Sequence, residues 1–373
     1  MSFETTKREL GELYAFIKLL ADGEVSMGNP EGMPNGWKRH VCCIERMEHD
    51  GYRRYHPSED EILLISGTKE RNGTFTEQPD SRRTVSRSLL QALAPALLQV
   101  LRSGDSQEVE VPDEVEQALD TLQIFDLEAH TDDRTDFTVT WDAPHIRPVG
   151  MVVRSRLGSM NPLLDGGRTA NLKLEQSGIK FATPTVNKIN ALPESPDEVC
   201  QRMLMIERLG GVLKYADVAD RVFRANLSLI DLHFPRLLTE MLRLMHLEGI
   251  TRISQLTERM EALNPLKIKE EFIEKHSYYR HKVKQFLLAL ALGMRPAKIY
   301  NGRSQAIGGL LLVQTDGSLV MYDRSDPDTF ADFLYQNSRF LKGDIEKDKY
   351  GFLERENGKY YFKLNAKVGL LKR

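Results

Sequence analysis

The sequence predicts an α+β or α/β chain, with a central mixed β-sheet flanked by helices. Three observations carry this. Blocks of helical and strand periodicity alternate in the order α, β, α, β, α, β. Hairpin turn signals recur at His49-Asp50-Gly51, Asp316-Gly317 and Asn357-Gly358. A long helical block, 196–296, separates the strand-rich centre from a strand-rich end. The 373 residues are 41% hydrophobic, enough for a large core. The expected segments are 1–195 (a core with the first helix and the central strands), 196–296 (mostly helical) and 297–373 (β-rich), which could also form one continuous domain.

Taken in order, residues 6–21 place Leu10, Leu13, Tyr14, Ile17, Leu20 and Ala21 on one helical face, and Gly23 stops the helix. Glu9 falls at the edge of that face and Glu12 well off it. Two extended stretches flank His49-Asp50-Gly51, and EILLISG reads as a short buried strand. Residues 84–103 are helical, with Pro95 predicting a kink or two shorter helices. An acidic linker, DSQEVEVPDEVE, leads to a short helix. DFTVTW and MVVRSRLGS both alternate as strands, with Arg154 and Arg156 on the face of Val152. Ser195 and Pro196 open the helical block, Pro235 divides it, and KHSYYRHKVKQFLLALALGM begins basic and ends apolar.

Composition excludes several classes. A net charge of −3 rules out a uniformly basic coat but not a local basic cleft. Three cysteines, Cys42, Cys43 and Cys200, make no disulfide framework and point to a reducing, cytoplasmic setting. The N-terminus lacks the apolar stretch of a signal peptide, and no apolar run approaches a membrane span. There is no phosphate-cradling glycine motif. His145, His233 and His276 lack metal-ligand spacing.

The central strands carry the chemistry. A metal-dependent nuclease of the PD-(D/E)XK type sets an acid at the end of one strand and an acid-x-Lys on its neighbour. Here Asp136 opens DFTVTW, while Val152 and Arg154 stand at the other two positions. Arginine stays protonated, so it cannot deprotonate water, but it can clamp a phosphate with two donors. Arg154 is therefore compatible with a metal-bound water as nucleophile, with a second metal, with a site that grips DNA without cutting, or with an ordinary strand arginine in a surface ion pair.

The words KRELGELYAFIKLLADG, GMVVRSRLGSMNPLLDGGRTANL, NLSLIDLHFPRLLTEML and YYRHKVKQFLLALALGMRPAKIYNGRSQAIGGLLLVQTDGSLVMYD occur in this order and cover most of the chain. Together they resemble the restriction endonuclease family named after HpaII. The resemblance implies a restriction-endonuclease-like fold and Mg²⁺-dependent cutting of double-stranded DNA at a short palindrome. A homodimer and a companion DNA methyltransferase are implied as partners. The runner-up reading is a sequence-specific DNA-binding protein that kept the fold and lost cleavage.

By that resemblance Asp136 is the strand-end acid and metal ligand. Asp142 is a second acid closing the same strand, and Arg154 and Ser155 belong to the catalytic segment. Glu9 or Glu12 from the first helix completes the metal site. Lys has become Arg154, Ser has become Val152, the Thr before Asn171 is Ala170, and Gln305 replaces an Asp. DNA contacts are expected from Arg156, Ser159, Asn161, Arg168 and Asn171. Further contacts are expected from the basic helix start, Arg280, Lys282 and Lys284, and from Asn301, Arg303 and Gln305, whose side chains suit base edges.

Overall fold

A computed structural model describes residues 3–70, 73–104, 106–127, 135–143, 146–192, 197–302 and 306–372. The chain forms two compact units. One comprises Met1–Asn161, Gln305–Phe333 and Lys372–Arg373; the other comprises Pro162–Ser304 and Leu334–Leu371. Segments 1–195 and 297–373 thus each contribute to both units.

In the first unit nine strands form one mixed sheet. Their order is Glu24–Gly28, Leu319–Asp323, Ile307–Val313, Val149–Ser155, Phe137–Trp141, Pro34–Glu48, Gly51–Pro57, Glu61–Lys69 and Phe75–Ser86. Glu24–Gly28 also pairs with Pro34–Glu48, which closes the first six strands into a barrel-like ring. Two of the pairings are parallel: Ile307–Val313 with Val149–Ser155, and Leu319–Asp323 with Glu24–Gly28. The hairpin at Asp316-Gly317 therefore inserts into the central sheet rather than forming a separate terminal part.

The helix Lys7–Asp22 packs on this sheet. Thr6 accepts from the Glu9 N–H while the Glu9 side chain accepts from the Thr6 N–H, a complete capping box; Gly23 ends the helix at φ 66°. Leu10, Phe16, Ile17, Leu19 and Leu20 are fully buried, each such burial contributing about 1.5–3 kcal/mol. The helix Arg87–Arg102 runs through Pro95 without dividing. Pro95 and Gln91 lie on its exposed face, so the carbonyl that loses its donor turns to water. The acidic linker hides a strand, Glu108–Val111, paired with Phe3–Thr6.

The second unit holds an antiparallel sheet in the order Gly211–Val218, Asn171–Gly178, Lys359–Asn365 and Leu353–Glu356. Helices Glu198–Arg208, Arg221–Ile230, Phe234–Glu248, Ile253–Leu263 and Tyr278–Ala291 accompany it. Pro235 divides its block as predicted, at the start of Phe234–Glu248. The strand Gly211–Val218 interrupts the mostly helical run, and the helix Pro327–Asn337 interrupts the β-rich end. No helix among the described residues is long and apolar enough to cross a membrane.

Candidate active site

Strands Phe137–Trp141 and Val149–Ser155 lie side by side, antiparallel, with Phe137 opposite Met151 and Val139 opposite Val149. Just before the first of these, the Asp136 N–H donates to the Met151 carbonyl at 2.9 Å. The Asp136 side chain then reaches across, and its Oδ2 accepts from the Val153 N–H at 2.6 Å. The strand-end acid is thus fixed against the backbone that carries Arg154.

Two glycines bring the first helix onto this strand. A Cβ at Gly11 would stand 2.8 Å from the Ser155 Cβ, and one at Gly158 would stand 2.9 Å from the Lys7 Cβ. Neither position tolerates a side chain without a shift, so the helix lies close against this part of the sheet. Glu12, Leu13, Phe16, Arg46, Leu127, Asp136 and Phe137 line one cavity of about 10 Å³, roughly the room a single water needs.

The two helix acids have different work. Glu9 Oε2 accepts from Thr5 Oγ1 at 2.9 Å, from Thr6 N at 3.0 Å and from Thr6 Oγ1 at 2.8 Å. It is committed to the helix cap, and these bonds, with Arg8, hold its pKa below the usual range although burial opposes them. Glu12 meets Arg8 at 3.3 Å and its side chain is only 11% exposed, against the sequence expectation that it lies well off the buried face. The helix packs against the helix Arg87–Arg102 as well as the sheet, so more than one of its faces is covered.

Burial raises the Asp136 carboxyl to about 6, opposed by the Val153 N–H and the charges of Arg154, Arg46 and Arg8. Arg154 is buried, which disfavours the alternative of an ordinary strand arginine in a surface ion pair. Burial pulls its pKa down, while Asp136 and Glu12 hold it up. Its Nη1 donates to the Val153 carbonyl at 2.7 Å, and its Nε is buried without a hydrogen-bond partner. An orphaned cationic donor beside two carboxylates suits an anion such as a phosphate.

The donor set also fits Mg²⁺, which takes oxygen ligands and is commonly held by one or two carboxylates plus waters and substrate phosphates. Among the described residues no group of three or more His, Cys, Asp or Glu side chains is poised for a metal; Asp136 and Glu12 are a candidate pair.

The other expected residues are scattered. Asp142 is exposed at the far end of its strand, about 20 Å along an extended chain. Ser155 is buried beneath Gly11, its Oγ accepting from the Leu157 N–H at 3.3 Å. Arg156 donates to Gln314 Oε1 at 2.6 Å. Ser159 and Asn161 are exposed, with the Ser159 N–H bound to Gln107 at 3.0 Å.

Arg168, Asn171, Arg280, Lys282, Lys284 and Asn301 belong to the second unit. Asn171 is a correction. It is 2% exposed, donates to the carbonyls of Asp348 and Lys349 at 2.8 and 3.1 Å, and accepts from Asn365 at 2.7 Å. Both of its amide hydrogens are taken, which leaves it no donor for DNA. Arg168 is exposed, its Nε 3.2 Å from the Lys347 carbonyl. Arg280 and Lys284 lie over the Tyr335 ring and Lys282 over Tyr278, each at 5.8 Å. Asn301 is exposed, and Arg303 and Gln305 lie outside the described residues. Arg46 and Arg8 are the residues that sequence reasoning missed. Each sits in a charged surface-like word, and no local pattern marks it.

Two adjacent strands bearing an acid and a buried arginine, crossed by a helix with a second acid, are the expected core of a nuclease. Over residues 6–370 the sequence matches the HpaII restriction endonuclease family, and the chain belongs to that family. It is accordingly a type II restriction endonuclease, a site-specific deoxyribonuclease. It is 28% identical over 375 residues, 99% of each chain, to the type II restriction enzyme HpaII of Haemophilus parainfluenzae. No solved structure matches.

Proposed function

We propose that Asp136 and Glu12 hold the Mg²⁺ used to hydrolyse double-stranded DNA at a short palindrome, within a restriction-endonuclease-like fold. The observation that carries this reading is a cavity lined by both carboxylates, with the unpartnered Arg154 Nε nearby in charge range. The ion, when bound, supplies an activated water and neutralises phosphate charge.

The chain's own groups do the rest. Arg154 remains a cation and donates to a phosphate oxygen, strengthening that bond as negative charge develops. Asp136 would act as a carboxylate, the form that the Val153 N–H and the charges of Arg154, Arg46 and Arg8 favour. Ser159, Asn161, Arg168 and Asn301 are exposed and available to DNA, as are the flanks of the basic helix Tyr278–Ala291. Two copies related by a two-fold axis would match a palindrome. A cytoplasmic setting with a companion methyltransferase accords with three free cysteines and with family membership.

The test is digestion of diverse plasmid DNA with Mg²⁺ or Mn²⁺. Discrete fragments are expected from the wild type and none from Asp136→Ala. Binding without cutting in either metal overturns the proposal in favour of an impaired DNA-binding protein. Arg154→Lys is expected to retain or raise the rate.

A further inference from the structure

Arg46 lies two residues before Glu48 on Pro34–Glu48, and both side chains are buried, at 3% and 0% exposure. Arg46 Nη1 pairs with Glu48 Oε1, and its Nη2 donates to the carbonyls of Asp126 and, at 3.0 Å, Leu127. Glu48 Oε2 accepts from the N–H groups of Phe125 and Asp126 at 3.1 and 3.2 Å. The pair therefore grips both the donors and the acceptors of one short strap, residues 125–127. His49 adds an outer tie: its N–H and its Nδ1 lie 3.2 and 3.0 Å from Asp126 Oδ2. The strap's far end, Leu127, lines the cavity with Asp136 and Glu12, and so does Arg46.

A buried ion pair adds little net stability over apolar residues of the same volume. Stability therefore does not explain it. What apolar residues could not do is hold four polar backbone groups of the strap in register. We propose that Arg46 and Glu48 form a buried latch that sets the strap 125–127 as one wall of the Asp136–Glu12 cavity, making Arg46 a positioning residue for DNA cleavage. The inference rests on the assignment of that cavity as the metal site.

Arg46→Lys keeps the charge but loses the forked grip on the strap. Leu127→Ala keeps the latch and removes only the strap's cavity-facing side chain. In the full-length protein, Arg46→Lys should lower kcat by about 10- to 100-fold, the range for partners that orient metal ligands, with KM for DNA nearly unchanged. Mn²⁺ affinity measured by calorimetry without DNA should fall in parallel, and hydrogen exchange at the Phe125 and Asp126 amides should accelerate. Leu127→Ala should show the same losses in weaker form, and it decides the question if Arg46→Lys does not fold. Wild-type kcat and Mn²⁺ affinity in both variants, with Asp136→Asn inactive, overturn the latch alone. Normal cutting by Asp136→Asn overturns the site assignment and the latch together.

Discussion

Asp136 in the first unit and Asp197 in the second are partly buried carboxylates that titrate in opposite directions. Burial raises both. For Asp136 it wins, taking the carboxyl to about 6. At Asp197 the partners win, taking it to about 2. Asp197 meets the His246 Nδ1 at 3.0 Å, accepts from the Cys200 N–H at 2.9 Å and pairs with Lys342 at 3.0 Å, capping the helix Glu198–Arg208. Among the described residues Asp136 has one close donor to its side chain, the Val153 N–H, and the cations around it act at longer range. A carboxylate whose bonds are complete is structural. One with a single close donor, raised by burial beside a cavity, is the candidate for a functional role.

The largest test of this contrast is Asp136→Asn, which should lose cutting altogether while Ca²⁺-supported DNA binding persists in a gel-shift assay. The same variant should gain stability. A pKa raised in the fold means that the folded protein binds the proton more tightly than the unfolded chain, so stability falls as pH rises from about 4 to about 6. In metal-free buffer, Asp136→Asn should melt higher than wild type at pH 8, and the gain should vanish near pH 4. An unchanged melting temperature at pH 8 would mean that Asp136 is not destabilised by burial.

Glu12→Gln comes next, with a loss of about 10- to 100-fold in kcat if Glu12 shares the ion. Steady-state kinetics at varied Mg²⁺ should show the half-saturating concentration rising too. A wild-type metal dependence would remove Glu12 from the site.

Asp197→Asn should leave cutting intact but cost on the order of 2 kcal/mol in urea unfolding at pH 7, because three partners lose a charged acceptor. Its sign is opposite to that of Asp136: a lowered pKa gives stability present above about pH 4 and lost as pH falls through about 2. The variant and wild type should therefore converge at low pH. The smallest effect belongs to Glu9→Ala, which should lose about 1 kcal/mol with its cap and keep kcat. A rate loss as large as that of Glu12→Gln would show that the two helix acids are not divided between cap and cavity.

Much of this was legible because its causes are local. The capping box at Thr6 and Glu9, the Gly23 stop, the turns at Asp316-Gly317 and Asn357-Gly358, and the alternation of DFTVTW and MVVRSRLGS are all written within a few residues of where they act. Pairing of the Asp136 and Arg154 strands also followed the motif. The misreadings have a common origin in partners distant along the chain. Glu12 looked peripheral because a helical stripe counts one apolar face, whereas this helix is enclosed on more than one side. Asn171 looked like a DNA contact because its three hydrogen-bond partners lie 177 to 194 positions away.

By itself the sequence determined the hairpins, the caps, the two central strands, the strand-end acid and the family to which these words belong, since short-range propensity and ordered motifs need no partner to be read. Tertiary structure alone decided that strand Ile307–Val313 runs parallel to Val149–Ser155, that Gly11 and Gly158 admit the helix, and that Glu12 rather than Glu9 shares a cavity with Asp136. Those outcomes depend on which surfaces exclude water against one another, a property of the closed barrel that no stretch of the chain carries alone.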